Sequence, residues 1–121
     1  MNAVFDTNIL IDYLNGIPEA RAEIWQFDRP MISPITWMEV LVGASIDEEP
    51  VVRRFLDRFV VVGLDTAVAE KAVAIRREHR LRLPDAIIWA TAKVSSALLI
   101  TRNTRDFPEA DPSIRVPYRI G

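Results

Sequence analysis

Apolar and polar positions alternate in blocks along the chain, and the period changes from block to block. A short continuous apolar run, Ala3–Phe5, stops at Asp6; Ile9, Leu10, Tyr13 and Leu14 then fall on one stripe at helical spacing. This predicts a buried strand that hands over to a helix at Asp6. Asn15-Gly16-Ile17-Pro18 is a turn, with Gly16 as C-cap and Pro18 opening a short helix over 19–27 whose Ile24 and Phe27 face inward. Met31 and Ile32 form a second strand. Ser33 as N-cap and Pro34 at the first helical position start a helix that ends near Gly43. Residues 46–50 read as an acidic linker. Val51, Val52, Phe55, Leu56 and Phe59 then make a wide apolar stripe opposite Arg53, Arg54, Asp57 and Arg58. A third strand at 60–62 closes at Gly63. A long helix over 66–80 turns Val68, Ala72, Ile75 and, at the margin, Val73 inward. Leu83-Pro84-Asp85 opens an interior helix over 86–92, and 97–100 is a fourth strand. Residues 115–118 form a short edge strand, because Pro117 is unsuited to a central one.

Strands alternating with helices predict an α/β fold of three layers, α/β/α, around a central parallel sheet of four to five short strands. The length, 121 residues, suits one domain over 1–121. The absence of cysteine excludes disulfides, thiolate metal sites and cysteine nucleophiles, and fits a cytoplasmic location. No apolar run approaches the roughly 18 residues needed to span a bilayer, so no membrane association is expected. A net charge of −2 does not mark a binder of polyanions by bulk charge, so the placement of the charges matters more.

In a parallel sheet every strand ends at the same edge, where ligands bind. Asp6 follows strand one. Glu39 lies about one and a half turns into the helix after strand two. Asp85 begins the interior helix that leads into strand four, and the segment from Asn103 to Asp106 follows that strand. Each acid also has an ordinary structural reading: a cap or a helix-dipole partner for Asp6 and Asp85, a surface carboxylate for Glu39, a turn cap for Asp106. Met38, Val40, Leu41 and Val42 surround Glu39, so that helix is expected to be largely buried and its carboxylate to be paired, metal-bound or protonated. Acids gathered at one edge are tolerable only with bound cations or raised pKa values. Oxygen donors without cysteine or a histidine pair suit Mg2+ or Mn2+, and the chemistry suggested is metal-assisted phosphodiester hydrolysis. Thr7 and Asn8 can hydrogen-bond the Asp6 carboxylate. Asp12, further along the helix and off its face, is left out. Arg76, Arg77, His79, Arg80 and Arg82 crowd the end of the long helix; they favour its dipole and are dense enough to hold phosphates, with His79 solvated.

Four segments resemble PIN-domain ribonucleases, and within that superfamily the VapC-type toxins of toxin–antitoxin pairs. They are Val4-Phe5-Asp6-Thr7-Asn8-Ile9-Leu10-Ile11-Asp12, Thr36-Trp37-Met38-Glu39-Val40, Leu83-Pro84-Asp85-Ala86-Ile87-Ile88-Trp89-Ala90, and Leu99-Ile100-Thr101-Arg102-Asn103-Thr104-Arg105-Asp106-Phe107. Their order is the family's, and the likeness spans nearly the whole chain. The resemblance implies a Mg2+-dependent endoribonuclease with Asp6 and Asp85 as metal ligands and Glu39 completing the acidic cluster. It also implies a homodimer, a small cognate antitoxin, and an RNA substrate such as tRNA, rRNA or mRNA. Many PIN domains carry an aspartate near the place of Asn103; here either Asn103 or Asp106 fills the fourth position. Arg76, Arg77 and Arg80 are the expected RNA surface, with Arg102 and Arg105 nearer the metal. Two other readings stand beside this one. A phospho-aspartyl enzyme similar to haloacid-dehalogenase phosphatases would need an acid where Asn8 stands. An inert PIN-like module would bind RNA or protein without cleaving.

Overall fold

In a computed structural model that describes residues 1–120, the apolar blocks become β1 (Ala3–Phe5), β2 (Met31–Ile32), β3 (Val60–Val61), β4 (Leu98–Ile100) and β5 (Ile114–Arg115). The helices are α1 (Thr7–Leu14), α2 (Pro18–Trp25), α3 (Pro34–Val42), α4 (Glu49–Leu56), α5 (Thr66–His79) and α6 (Leu83–Val94). The strands form one parallel sheet in the order β3-β2-β1-β4-β5. Its register sets Val4 beside Met31 on one side and beside Leu99 on the other. Every residue of β1 is buried, as expected of a strand covered on both faces.

The two-residue period of the strands divides the core. Val4 and Leu99 pack with Val68, Ala72, Ile75 and Trp89 of α5 and α6. Ala3, Phe5, Ile32 and Ile100 pack with Ile9, Leu10, Ile24, Phe55 and Leu56 of α1, α2 and α4. The result is the expected three layers. Phe5 meets Phe27 and Phe59 edge-on at 5.7 and 6.3 Å, contacts each worth about 0.5–1.5 kcal/mol beyond burial. Buried Glu23 holds Arg115 through bonds of 2.7 and 3.1 Å, tying α2 to the edge strand. Among the described residues no helix is long and apolar enough to cross a membrane.

Several expectations are corrected. The helix bearing Glu39 is not largely buried: only Thr36 and Val40 are, while Val42 is 87% exposed. It packs by one face on α1, α4 and α6, and hydropathy alone could not say that its other side has no cover. Val73 also faces solvent. The stretch over 46–50 is only partly linker, since Pro50 sits in the first turn of α4, where its missing N–H would have no helical partner anyway. His79 is not simply solvated; its ring lies 4.7 Å from that of buried Trp89. The chain leaves α5 through Arg80 in the left-handed region, φ 58°, with its N–H on the Arg76 carbonyl.

Candidate active site

From β1 the sheet grows through β2 to β3 on one side and through β4 to β5 on the other, so a crevice opens between the ends of β1 and β4. Asp6 and Thr101 are the first residues beyond those two ends, and the Asp6 N–H bonds the Ile100 carbonyl at 2.9 Å. Asp6 is only 4% exposed. It caps α1, with Oδ1 accepting from the Thr7 N–H at 2.8 Å. Its Oδ2 accepts from the Thr101 hydroxyl at 2.8 Å and from Asn8 Nδ2 at 3.0 Å. A carboxylate offers about four lone-pair sites, so roughly one remains. Capping the helix therefore leaves this carboxylate room to accept one further partner. Thr101 Oγ1 is itself fixed, accepting from the Asn103 N–H at 3.0 Å and from Asn8 Nδ2 at 3.3 Å.

Thr7 links Asp6 to Glu39. Its hydroxyl donates to Glu39 Oε1 at 2.7 Å. A hydroxyl has one proton, so in the 3.0 Å contact between Thr7 and buried Thr36 the donor is Thr36. Glu39 itself is exposed, which removes the burial cost expected from its apolar neighbours. Asp85 lies half-buried in the first turn of α6, a helix that runs back under the sheet and so starts at the edge where the strands end. Asn103 and Asp106 turn out to be partners. Asn103 Nδ2 donates to Asp106 Oδ2 at 3.0 Å, and the Asp106 N–H donates to Asn103 Oδ1 at 3.2 Å.

The acids sense one another. Burial pushes the Asp6 carboxyl up to about 6; the bonds from Thr101 and Thr7 oppose this, and the charges of Asp85 and Glu39 add to it. Asp85 is raised as well, first by burial, with Arg82 opposing and with Asp106 and Glu39 adding. Among the described residues no three acidic or imidazole side chains close up far enough to enclose an ion by themselves. The donor set still fits Mg2+, a hard ion that usually takes one or two carboxylates and keeps several waters.

The arginines divide. Arg76, Arg77 and Arg80 are exposed, and Arg76 Nη1 donates to the Leu81 carbonyl at 2.7 Å. Arg105 is exposed, 3.9 Å from Asp106. Arg102 is occupied instead: Nε and Nη2 reach the two oxygens of Asp12 at 2.5 and 2.8 Å. Asp12, 3% exposed, also accepts from the Tyr118 hydroxyl at 2.8 Å. Burial pushes this acid up, but the bonds from Arg102 and Tyr118 and the Arg102 charge outweigh it and hold the group below its ordinary range. Sequence reasoning missed Thr101, Thr36, Asp12 and Tyr118. The only signal for Asp12 was an acid on an otherwise apolar stretch of α1.

A family model described as the PIN domain matches residues 3–111. Ribonuclease VapC10 of Mycobacterium tuberculosis (strain CDC 1551 / Oshkosh) is 31% identical over 123 residues, covering 95% of this chain and 92% of that protein. A chain of a toxin–antitoxin complex from Klebsiella pneumoniae is similar at a TM-score of 0.92 and 45% identity, covering 98% of this chain and all of that one. A chain of the DNA-bound VapBC crystal structure from Salmonella typhimurium is similar at 0.78 and 29% identity, covering 95% of this chain and 96% of that one.

Proposed function

The chain belongs to the PIN-domain family, and from that premise we propose that it is a Mg2+-dependent endoribonuclease acting as the toxin of a toxin–antitoxin pair, with Mn2+ able to substitute. The observation that supports the proposal is that Asp6, Glu39, Asp85 and Asp106 lie near enough at one sheet edge for their charges to act on one another, burial first and the neighbouring acids second raising Asp6 and Asp85. Asp6 and Asp85 are the proposed ligands. A bound Mg2+ would supply an acidified water and hold a phosphoryl oxygen. Glu39, anchored through Oε1 by Thr7, keeps Oε2 to accept a proton from the attacking water. Asp106, steadied by Asn103, adds negative charge beside Asp85. Thr7, Asn8 and Thr101 hold the Asp6 carboxylate before any ligand arrives, so little reorganisation is left for the reaction step. Arg76, Arg77, Arg80 and Arg105 are the proposed contacts to RNA phosphates.

A cognate antitoxin is the proposed partner, since the structures similar to this chain include toxin–antitoxin complexes. The face proposed for it is the apolar strip of Met38, Val42, Ile46 and Val51, in which Ile46 is 90% exposed. Beside it Ile11, Leu14, Val40, Ala44 and Val52 line a groove of about 430 Å³. Pairing of two copies is proposed as well and would cover Val73 and Leu83, both left exposed. The deciding experiment incubates the purified chain with structured RNAs and Mg2+. Cleavage should stop in chelator and fall about 10²–10³-fold in Asp85→Asn with an unchanged circular dichroism spectrum. RNA binding without cleavage in any divalent ion would overturn the proposal.

A further inference from the structure

The side chain of Arg102 points away from the role its sequence position suggests. Its planar fork is spent on Asp12, two parallel bonds to one carboxylate. Releasing it to a phosphate would leave a buried acid with Tyr118 as its remaining partner. The backbone of the same residue is held too, its N–H donating to Asn8 Oδ1 at 3.4 Å. Asn8 and Asp12 are four apart on α1 and so lie on one face, one turn above the other. Residue 102 is thus fastened to two successive turns of the helix that Asp6 caps. Its neighbour Thr101 donates to Asp6, Asn8 donates to both Asp6 and Thr101, and Asn103 donates to Thr101. The connection runs without a gap from Tyr118 through Asp12, Arg102 and Asn8 to the Asp6 carboxylate.

We infer that Arg102 is a positioning residue, not an RNA contact: clamped by Asp12 and Tyr118, it fixes the loop after β4 so that Thr101 and Asn8 hold Asp6 in its working orientation. The inference rests on the reading of Asp6 as a site acid of a nuclease. The chemistry of the pair explains why arginine is suited here. Lysine is a point charge with rotatable donors; it can neutralise Asp12 but cannot align both oxygens at once. Tyr118 brings the segment after β5 onto the same acid, so a residue beyond the last strand helps to set the direction of the loop after β4.

The test uses the full chain with Arg102→Gln, Arg102→Lys and Tyr118→Phe. Cleavage of a structured RNA in Mg2+ gives kcat and KM. The salt dependence of affinity for a labelled single-stranded RNA is measured in chelator. The side-chain amide signals of Asn8 are followed by NMR in metal-free protein. Arg102→Gln should lower kcat about 10²-fold, the scale of an ångström-sized misplacement, with KM and the salt slope unchanged and the Asn8 amide signals shifted. Arg102→Lys should recover part of kcat. Tyr118→Phe should shift the same signals by less, and it carries the test if Arg102→Gln does not fold. A salt slope shallower by about 0.7 with kcat retained would make Arg102 an RNA contact and overturn the inference. A lowered melting temperature with kcat and the Asn8 signals unmoved would make the pair merely structural, which also overturns it. If the wild-type chain cleaves nothing, the nuclease reading fails on its own, and the Asn8 signals still decide whether Arg102 sets the geometry around Asp6.

Discussion

Replacing Asp6 by asparagine should change stability in a way that depends on pH. The ordinary value for this group is 3.8, and in the folded chain it is pushed up to about 6, mainly by burial. With one unit worth 1.36 kcal/mol, that shift corresponds to ~3 kcal/mol at a site almost without solvent. The folded pKa lies above the unfolded one. Between the two, the folded state keeps a proton that the unfolded state has already lost. The wild-type chain therefore loses stability as pH rises from about 4 through 6 and recovers none above it. Asparagine does not titrate, so the stability of Asp6→Asn relative to wild type should climb by up to ~3 kcal/mol between pH 4 and 7.5. The offset is set separately. Asparagine keeps an acceptor for the Thr7 N–H but presents an NH2 to Asn8 and Thr101, at about 1–3 kcal/mol. The variant should thus be the weaker protein at pH 4 and equal or stronger at pH 7.5. The three tryptophans allow urea unfolding to be followed by fluorescence at a series of pH values in chelator. Asp85 titrates in both proteins and largely cancels from the difference. Parallel stability curves for the two proteins across that range would refute the reasoning. Under the proposed function, adding Mg2+ at pH 7.5 should stabilise wild type and leave Asp6→Asn unmoved.

Three further outcomes are expected elsewhere in the molecule. Asp12→Ala should destabilise by about 2 kcal/mol in thermal or urea unfolding, less than for a fully buried pair because Arg102 is 34% exposed; a loss under 0.5 kcal/mol would mean that the pair carries little of the fold. Since Asp12 sits below its ordinary value, its stabilising contribution is complete above that value and is lost as pH falls through the folded one. If the chain binds RNA as proposed, Arg76, Arg77 and Arg80 changed together to Gln should flatten the salt dependence of single-strand RNA affinity by about 0.7 for each phosphate no longer neutralised, and an unchanged slope would return them to plain surface residues. Under the proposed function, Val42→Glu should leave monomer stability within about 0.5 kcal/mol while weakening co-purification with a cognate antitoxin, and an undiminished complex would move the proposed partner to another face.

The elements near the site were legible because local rules place them. Ser33 and Pro34 begin α3 by cap chemistry, and the apolar stop at Asp6 marks the end of β1 whatever lies beyond. That Asp6, Asp85 and the segment from Asn103 to Asp106 lie toward one edge followed from the alternation of strands and helices, since all strands of a parallel sheet end on the same side. What escaped depends on pairs far apart along the chain. Asp12 meets Arg102 across 90 positions and Thr101 meets Asp6 across 95, and no period in the sequence records either contact. The exposure of α3 escaped for a related reason: hydropathy reports what a helix could bury, not which of its faces meets another element. Asn103 and Asp106 looked like rivals for one position because sequence spacing cannot show that an amide and an acid three apart grip each other.

Asp6 is rooted at the tip of the innermost strand, which is roofed and floored by helices along its whole length. Amide protons there should exchange only when the entire sheet comes apart. A group anchored so firmly cannot be retracted by a small local motion of its own backbone. A molecule laid across the rim of the crevice could cover this carboxylate while the scaffold beneath stays as it was.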